Sequence, residues 1–359
     1  MKTIRKNEYI FLCYFIMSSM FWGITSYVLL QTSYRDSWLS IIISLVLGII
    51  PLILFYLTLN LSPCDNIVSL INKHFGKFGI VINIILMLVV IIMATLLLWN
   101  LITFISYQYL FKTPNAAIAI LFMSVITYIV SKDLSVISRC GGIMFFMVII
   151  LFLITFFTLL GKINLSEIKP LLENGFKPVL KGSYLYISNN IFPLYLLLII
   201  PKNNIVDNSN LKKPLFIIIL MTIIMAFIVI FCCITVFGAK MAALYQFLEY
   251  HILKTINIAD FFQRIESILS IQLIFSLIMG SVLYLYYLKT SFKQIFKINK
   301  KDNLIIILFS IIITILSLKV FRNSISFELF ILNIYPFISI ILFIIPLIIF
   351  IKAKVHPKL

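Results

Sequence analysis

The chain has 359 residues, 62% of them hydrophobic and only 11% charged, where ordinary soluble domains carry about 25% charged residues. That balance excludes a water-soluble globular protein and points to a polytopic membrane protein. A net charge of +17 does not indicate nucleic-acid binding, because no basic domain stands free of the apolar runs and no aromatic-basic binding module is present.

Uncharged runs near the roughly 20 residues that cross a bilayer as helix recur ten times. The first, 9–30, is longer than the apolar core of a signal peptide and no small-residue cleavage site follows it, so it reads as a membrane helix. Within it the stretch SSMFWGITSY sets Gly23 between Ser18, Ser19, Thr25 and Ser26. Such a stretch unwinds to face a ligand with its backbone, or its small residues let neighbouring helices approach closely. The second run is 38–61. The third, 80–111, is too long for a perpendicular span and must tilt, extend beyond the membrane or bend; Trp99, Asn100 and Thr103 interrupt it.

The fourth and fifth runs are 114–131 and 141–161. The sixth, 183–201, contains SNNIFP. Pro193 removes an amide and clashes with the preceding turn, while Ser188, Asn189 and Asn190 supply groups for the freed backbone or for a substrate. A kinked structural helix accounts for Pro193, but less well for two adjacent asparagines at membrane depth, which are costly unless partnered or wet.

The seventh run is 214–238. The eighth, about 256–288, opens with charges. Gln263, Glu266, Ser267, Ser270 and Ser281 share one helical face. Arg264 points elsewhere and has a natural partner in Asp260 one turn earlier, which leaves Glu266 without a partner in its own helix. Glu266 is then satisfied by another helix, water, a proton or a bound cation, unless 260–266 is an interfacial turn with solvated side chains. The ninth and tenth runs are 304–318 and 329–351.

With a cytoplasmic N-terminus, eighteen of the 29 Lys and Arg residues fall in inner segments and ten in outer loops, Arg264 being left over. The positive-inside rule therefore places both termini in the cytoplasm. The cluster from Lys289 to Lys301 is also able to touch anionic lipid headgroups. Cys13, Cys64, Cys140, Cys232 and Cys233 have no metal-ligand spacing and read as small core residues. His74, His251 and His356 are scattered. No enzyme, metal or cofactor is expected.

Ten helices broken in the first and sixth predict two five-helix halves, 1–182 and 183–359, one inverted relative to the other within a single membrane domain. YRDSWLS at 34–40, the Lys181-Gly182 pair, and RIESILSIQ at 264–272 resemble signatures of the spore germination permeases, the GerAB-like B subunits of nutrient germinant receptors. The resemblance covers essentially the whole chain in length and helix order. It implies an amino acid/polyamine/organocation (APC) transporter-like fold turned to sensing, in the spore inner membrane, alongside an A-type membrane subunit and a C-type lipoprotein. It implies a small nutrient such as an amino acid held among helices 1, 3, 6 and 8, with Ser19, Gly23, Thr25, Asn100, Ser188, Asn189, Asn190, Glu266 and Ser270 as contacts. The alternative is an autonomous proton- or sodium-coupled amino-acid transporter, with Glu266 and Ser267 as coupling groups and Arg264 and Asp260 beside them. One departure stands out: helix 1 has no GxG-type break and offers only Gly23.

Overall fold

A computed structural model of the chain describes residues 3–254, 266–298, 301–321 and 323–355. A two-residue strand β1 (Ile4–Arg5) leads into α1 (Lys6–Ser18), a π-helical turn (Phe21–Thr25) and α2 (Ser26–Ser33). Then follow α3 (Ser37–Leu61), α4 (Ile67–Phe75), α5 (Phe78–Gln108), α6 (Asn115–Ser131), α7 (Leu134–Leu159) and α8 (Phe176–Tyr186). A second π-helical turn (Ile187–Ile191) and a 3-10 helix (Phe192–Ile199) precede β2 (Ile205–Val206) and α9 (Lys212–Ala242). The chain continues through α10 (Leu248–Lys254), α11 (Glu266–Ile295), α12 (Asp302–Lys319), α13 (Ser324–Asn333), α14 (Tyr335–Ser339) and α15 (Ile341–Val355).

The protein is an all-α polytopic membrane protein. Helix satisfies every backbone group internally, which lipid demands, and each of the ten expected segments contains helix. Among the described residues, seven helical stretches are long and apolar enough to cross a membrane; the first, Lys6–Leu61, holds the first two expected segments joined by a tight turn at Tyr34–Asp36. The sixth segment begins at Phe176 rather than Ser183, so Lys177 and Lys181 are helical. Large apolar side chains such as Val46, Ile50 and Ile53 of α3 and Ile143 and Phe157 of α7 remain exposed, as expected of a surface that meets acyl chains.

The most buried span is α11, packed on α1, α5, α6 and α7. Gly280 permits a close approach just past the end of α1: a Cβ there would lie 2.2 Å from the Cβ of Ser19.

Two groups of contacts gather the loops and helix ends. In one, β1 pairs in parallel with β2, the Asn203 amide donates to Pro63 O at 2.9 Å, Lys352 Nζ donates to the His74 carbonyl, and Lys289 Nζ donates to Val130 O at 3.1 Å. In the other, the Asn164 amide donates to Thr235 O, Arg35 pairs with Glu173 at 3.1 Å, and the Leu172 amide donates to Asp36 Oδ1.

The cysteine reading needs correction. Cys13, Cys232 and Cys233 are buried, but Cys64 is exposed in the loop after α3, where it accepts from Asn203 Nδ2, and Cys140 is partly exposed. Asp260, Gln263 and Arg264, and the side chain of Glu266, lie outside the described residues.

Candidate ligand-binding site

The first helix is interrupted by a true change of backbone direction. Trp22 adopts φ −69°, ψ 119° and Gly23 φ 68°, ψ −7°. A positive φ there suits glycine alone among these residues, and space enforces the same choice, because a Cβ on Gly23 would lie 2.5 Å from the ring of Phe247 and 3.1 Å from Asn100 Oδ1. The π register is visible in Thr25, whose amide donates to Met20 O at 3.0 Å and whose hydroxyl donates to the same oxygen at 2.8 Å. The Ser26 amide reaches Phe21 O, and the Trp22 carbonyl is answered from another helix: Asn100 Nδ2 of α5 donates to it at 2.8 Å.

The sixth segment approaches the same place. Its π turn and 3-10 helix keep the Pro193 ring clear of the preceding carbonyls. Asn190 Nδ2 donates to Tyr186 O at 3.1 Å and to Thr25 Oγ1 at 3.2 Å, which binds the two interruptions together. Ser188 donates to Leu185 O, and Ser188, Asn189 and Asn190 are all fully buried.

Phe247 and the short helix α10 cover the break. Phe247 packs on Phe104 of α5 with centroids 5.0 Å apart, and Tyr250 packs on Phe104 and Tyr109. Glu249 of α10 is 1% exposed, and neither carboxyl oxygen closes a hydrogen bond of ordinary geometry. Burial pushes the carboxyl up to about 7, while the Ser26 hydroxyl and the backbone N–H groups of Glu249 and Gly23 act in the opposite direction. A cavity of about 20 Å³, room for one water, lies against Glu249, Trp22, Thr155, Cys232 and Cys233.

Around five residues of backbone, then, the described residues gather buried polar atoms that close no hydrogen bond of ordinary geometry: Asn100 Oδ1, Asn190 Oδ1, Asn189 Nδ2, Trp22 Nε1, and Ser26 Oγ beside both oxygens of Glu249. Such atoms cost about 1–3 kcal/mol each when left unmade, so their concentration marks a place built for something other than stability. A cleft of about 530 Å³ between α6 and α12 is far larger but lacks this signature. Its serine and threonine hydroxyls are satisfied, Thr127 with Ser310 at 2.7 Å, Ser124 by Leu121 O, Ser131 by Tyr128 O and Thr314 by Ser310 O.

The structure thus brings Gly23, Thr25, Asn100 and Asn190 together, with Ser188 and Asn189 alongside. Ser19 lies one turn away, donates to Ile16 O at 3.1 Å and seats against Gly280. Ser270 is buried and shares a hydrogen bond with the Tyr109 hydroxyl, beneath α10. Ser267 is half-buried on the same helix. Trp99 faces away from the break, stacked on Phe327 at 4.1 Å. Sequence reasoning missed Phe247 and Glu249, which fall in what read as an outer loop; the signal was the apolar run FLEYHIL around a single acid.

A family profile described as "Spore germination protein" matches residues 8–325. Spore germination protein XB of Bacillus anthracis is 30% identical over 159 residues, 43% of this chain and 44% of that protein, so the chain aligns with less than half of its length. Putative spore germination protein YfkT of Bacillus subtilis is 26% identical over 263 residues, covering 72% of each chain. Spore germination protein KB of Bacillus subtilis is 24% identical over 273 residues, 73% of this chain and 71% of that one.

Proposed function

The chain belongs to the spore germination protein (spore permease) family, and from that premise we propose that it is the nutrient-sensing membrane subunit of a germinant receptor. The observation that carries this reading is the break at Gly23 with its ring of unpartnered buried polar atoms. Irregular backbone at membrane depth is tolerated where it faces protein or a protected cavity, and broken helices near the midplane are where permease-like folds place their ligands.

In this reading a small nutrient, an amino acid being the best fit, lies against the break and meets Asn190, Asn100 and the helix backbone. The protein changes packing only through a difference in ligand affinity between its two arrangements. Phe247 and α10 are the parts that must move, since they cover the break. The change passes to an A-type membrane subunit and a C-type lipoprotein in the spore inner membrane. The side to which the sequence reading assigns the larger share of Lys and Arg is taken as cytoplasmic.

A second reading is proton-coupled amino-acid transport by this chain alone. It is favoured by Glu249, a buried carboxyl raised to about 7, which exchanges a proton near neutral pH.

Dipicolinate release from spores across a nutrient panel separates these readings, with and without this chain and with Asn190→Leu. Loss of response to particular nutrients in both the deletion and the variant is expected. An unchanged response to every nutrient, in a strain lacking redundant receptors, would sink the receptor reading. Uptake of labelled amino acid by the chain alone in proteoliposomes would favour transport.

A further inference from the structure

The polar atoms around the break are of one kind more than the other, and their chemistry narrows the ligand. Asn100 is held with Nδ2 toward the Trp22 carbonyl and Asn190 with Nδ2 toward the Tyr186 carbonyl. A carbonyl accepts and never donates, so both amide orientations are fixed. Their Oδ1 atoms are therefore free acceptors, and both are buried without a partner. Glu249 adds two more oxygens that close no hydrogen bond of ordinary geometry and, once ionised, a negative charge.

The unpartnered groups that can only donate are fewer, Asn189 Nδ2 and Trp22 Nε1 against four acceptor oxygens. The outer half of the first helix, α2, starts at Ser26, and a helix start offers amides and positive dipole to an anion. Here the chain's own Glu249 carboxyl stands beside the Ser26 hydroxyl and the Gly23 amide. A ligand carboxylate entering that position would meet the resident carboxyl, which repels it once ionised because like charges at such range disfavour each other. Among the described residues, the groups lining the small cavity beside Glu249 include no lysine or arginine. What the cluster is short of is a cation that donates hydrogen bonds. A primary ammonium is that group: three donors, no acceptor, one positive charge.

We infer that Glu249, with Asn100 Oδ1 and Asn190 Oδ1, recognises the ammonium group of an amine-bearing nutrient at the break in the first helix. The inference rests on the ligand-site reading above and names the chemical class of its ligand. Trp22, whose side chain lines the same cavity, offers a ring face to the same cation. Phe247 and Glu249 are two residues apart, so a movement of this stretch that displaces the Phe247 ring to admit the ligand also repositions the carboxyl that binds it.

The test uses the full chain purified into lipid nanodiscs, with saturable thermal protection as the measure of binding. The probes are the proteinogenic amino acids, ethylamine and putrescine, set against lactate, glucose and potassium chloride. At least one amine is expected to protect, its amine-free counterpart is not, and Glu249→Gln is expected to weaken the amine at least tenfold while leaving the unliganded protein folded. Should E249Q fail to fold, Glu249→Asp keeps the charge one methylene back and is expected to retain the preference for amines with weaker binding. Lactate binding as well as alanine, or E249Q keeping amine affinity within twofold, overturns the inference. Potassium chloride protecting at the same midpoint as the amines also overturns it, in favour of an inorganic cation. If lactate or glucose protects and Gly23→Ala abolishes that protection while E249Q does not, the ligand site stands and only the ammonium assignment falls. If no probe protects, both fall.

Discussion

The first and sixth helical segments are both interrupted, yet the two interruptions are physically different. In the first, Trp22 leaves the helical region and Gly23 takes a positive φ, so the chain changes direction and frees a carbonyl that Asn100 answers. In the sixth, Ile187–Ile199 passes from π to 3-10 winding around Pro193, and its caps at Tyr186, Ile191 and Phe192 keep helical dihedrals. A glycine break exposes backbone; a proline break rewinds it. The first therefore supplies the binding surface and the second supplies side chains, Asn189 and Asn190, set against it.

The comparison is broken most severely at Gly23. Gly23→Ala places a Cβ in a conformation that costs roughly 1–2 kcal/mol for an L-residue and 2.5 Å from the Phe247 ring. Gly23→Val adds branching to both penalties. Nutrient response is expected to fall by ten- to a hundred-fold in G23A and to vanish in G23V, read by dipicolinate release. Near-normal G23V spores would show that the positive φ is dispensable.

Glu249 gives the next largest effect, seen as pH dependence. Its carboxyl is raised by burial from 4.5 to about 7, so between those values the folded chain holds a proton that the unfolded chain has released. Stability from this group is fully present below about pH 4.5 and is lost as pH rises through 7, by at most about 3 kcal/mol. The other titratable groups on the adjoining cavity are the Cys232 and Cys233 thiols. Thermal unfolding in nanodiscs is expected to show Glu249→Gln more stable than the parent at pH 8, with the gap closing by pH 5. A gap independent of pH would mean that Glu249 is not buried against the break.

Asn100 sharpens the same contrast at smaller cost. Asn100→Ala removes the partner of the Trp22 carbonyl and leaves that oxygen buried and unpaired, about 1–3 kcal/mol. Asn100→Asp keeps the shape but turns the donor into an acceptor opposite a carbonyl, and is expected to be at least as harmful. If N100D matched the parent in thermal stability and nutrient response, the cross-helix bond would not be holding the break open.

Much of this was legible in the residues, for identifiable reasons. Apolar runs report membrane helices because lipid leaves the backbone few alternatives, and Gly23, Pro193, Asn189 and Asn190 stand out because each is costly in such a run. Ser19 looked like a ligand contact by the same logic, whereas its small size serves close packing on Gly280. Glu249 was hidden because seven residues between two spans carry no periodic signal strong enough to show that they fold back onto the core. The acid that drew attention instead was Glu266, picked out by its apolar neighbours, whose side chain lies outside the described residues. Depth in the fold is a tertiary property, and neither acid's sequence context determines it.

The smallest effect is the one that tests the comparison itself. Pro193→Ala restores an amide and removes the ring clash in a segment already wound as helix, so the chain can relax toward α winding at little cost. Stability is expected to change by no more than about 1 kcal/mol in either direction. Nutrient response should fall only as far as rewinding rotates Asn190 away from Thr25, its 3.2 Å contact across the two segments. A threefold loss or less in dipicolinate release would keep the sixth segment as a carrier of side chains. A loss equal to that of Gly23→Ala would mean that its winding is itself part of the switch, and that the two interruptions work as a pair rather than as surface and support.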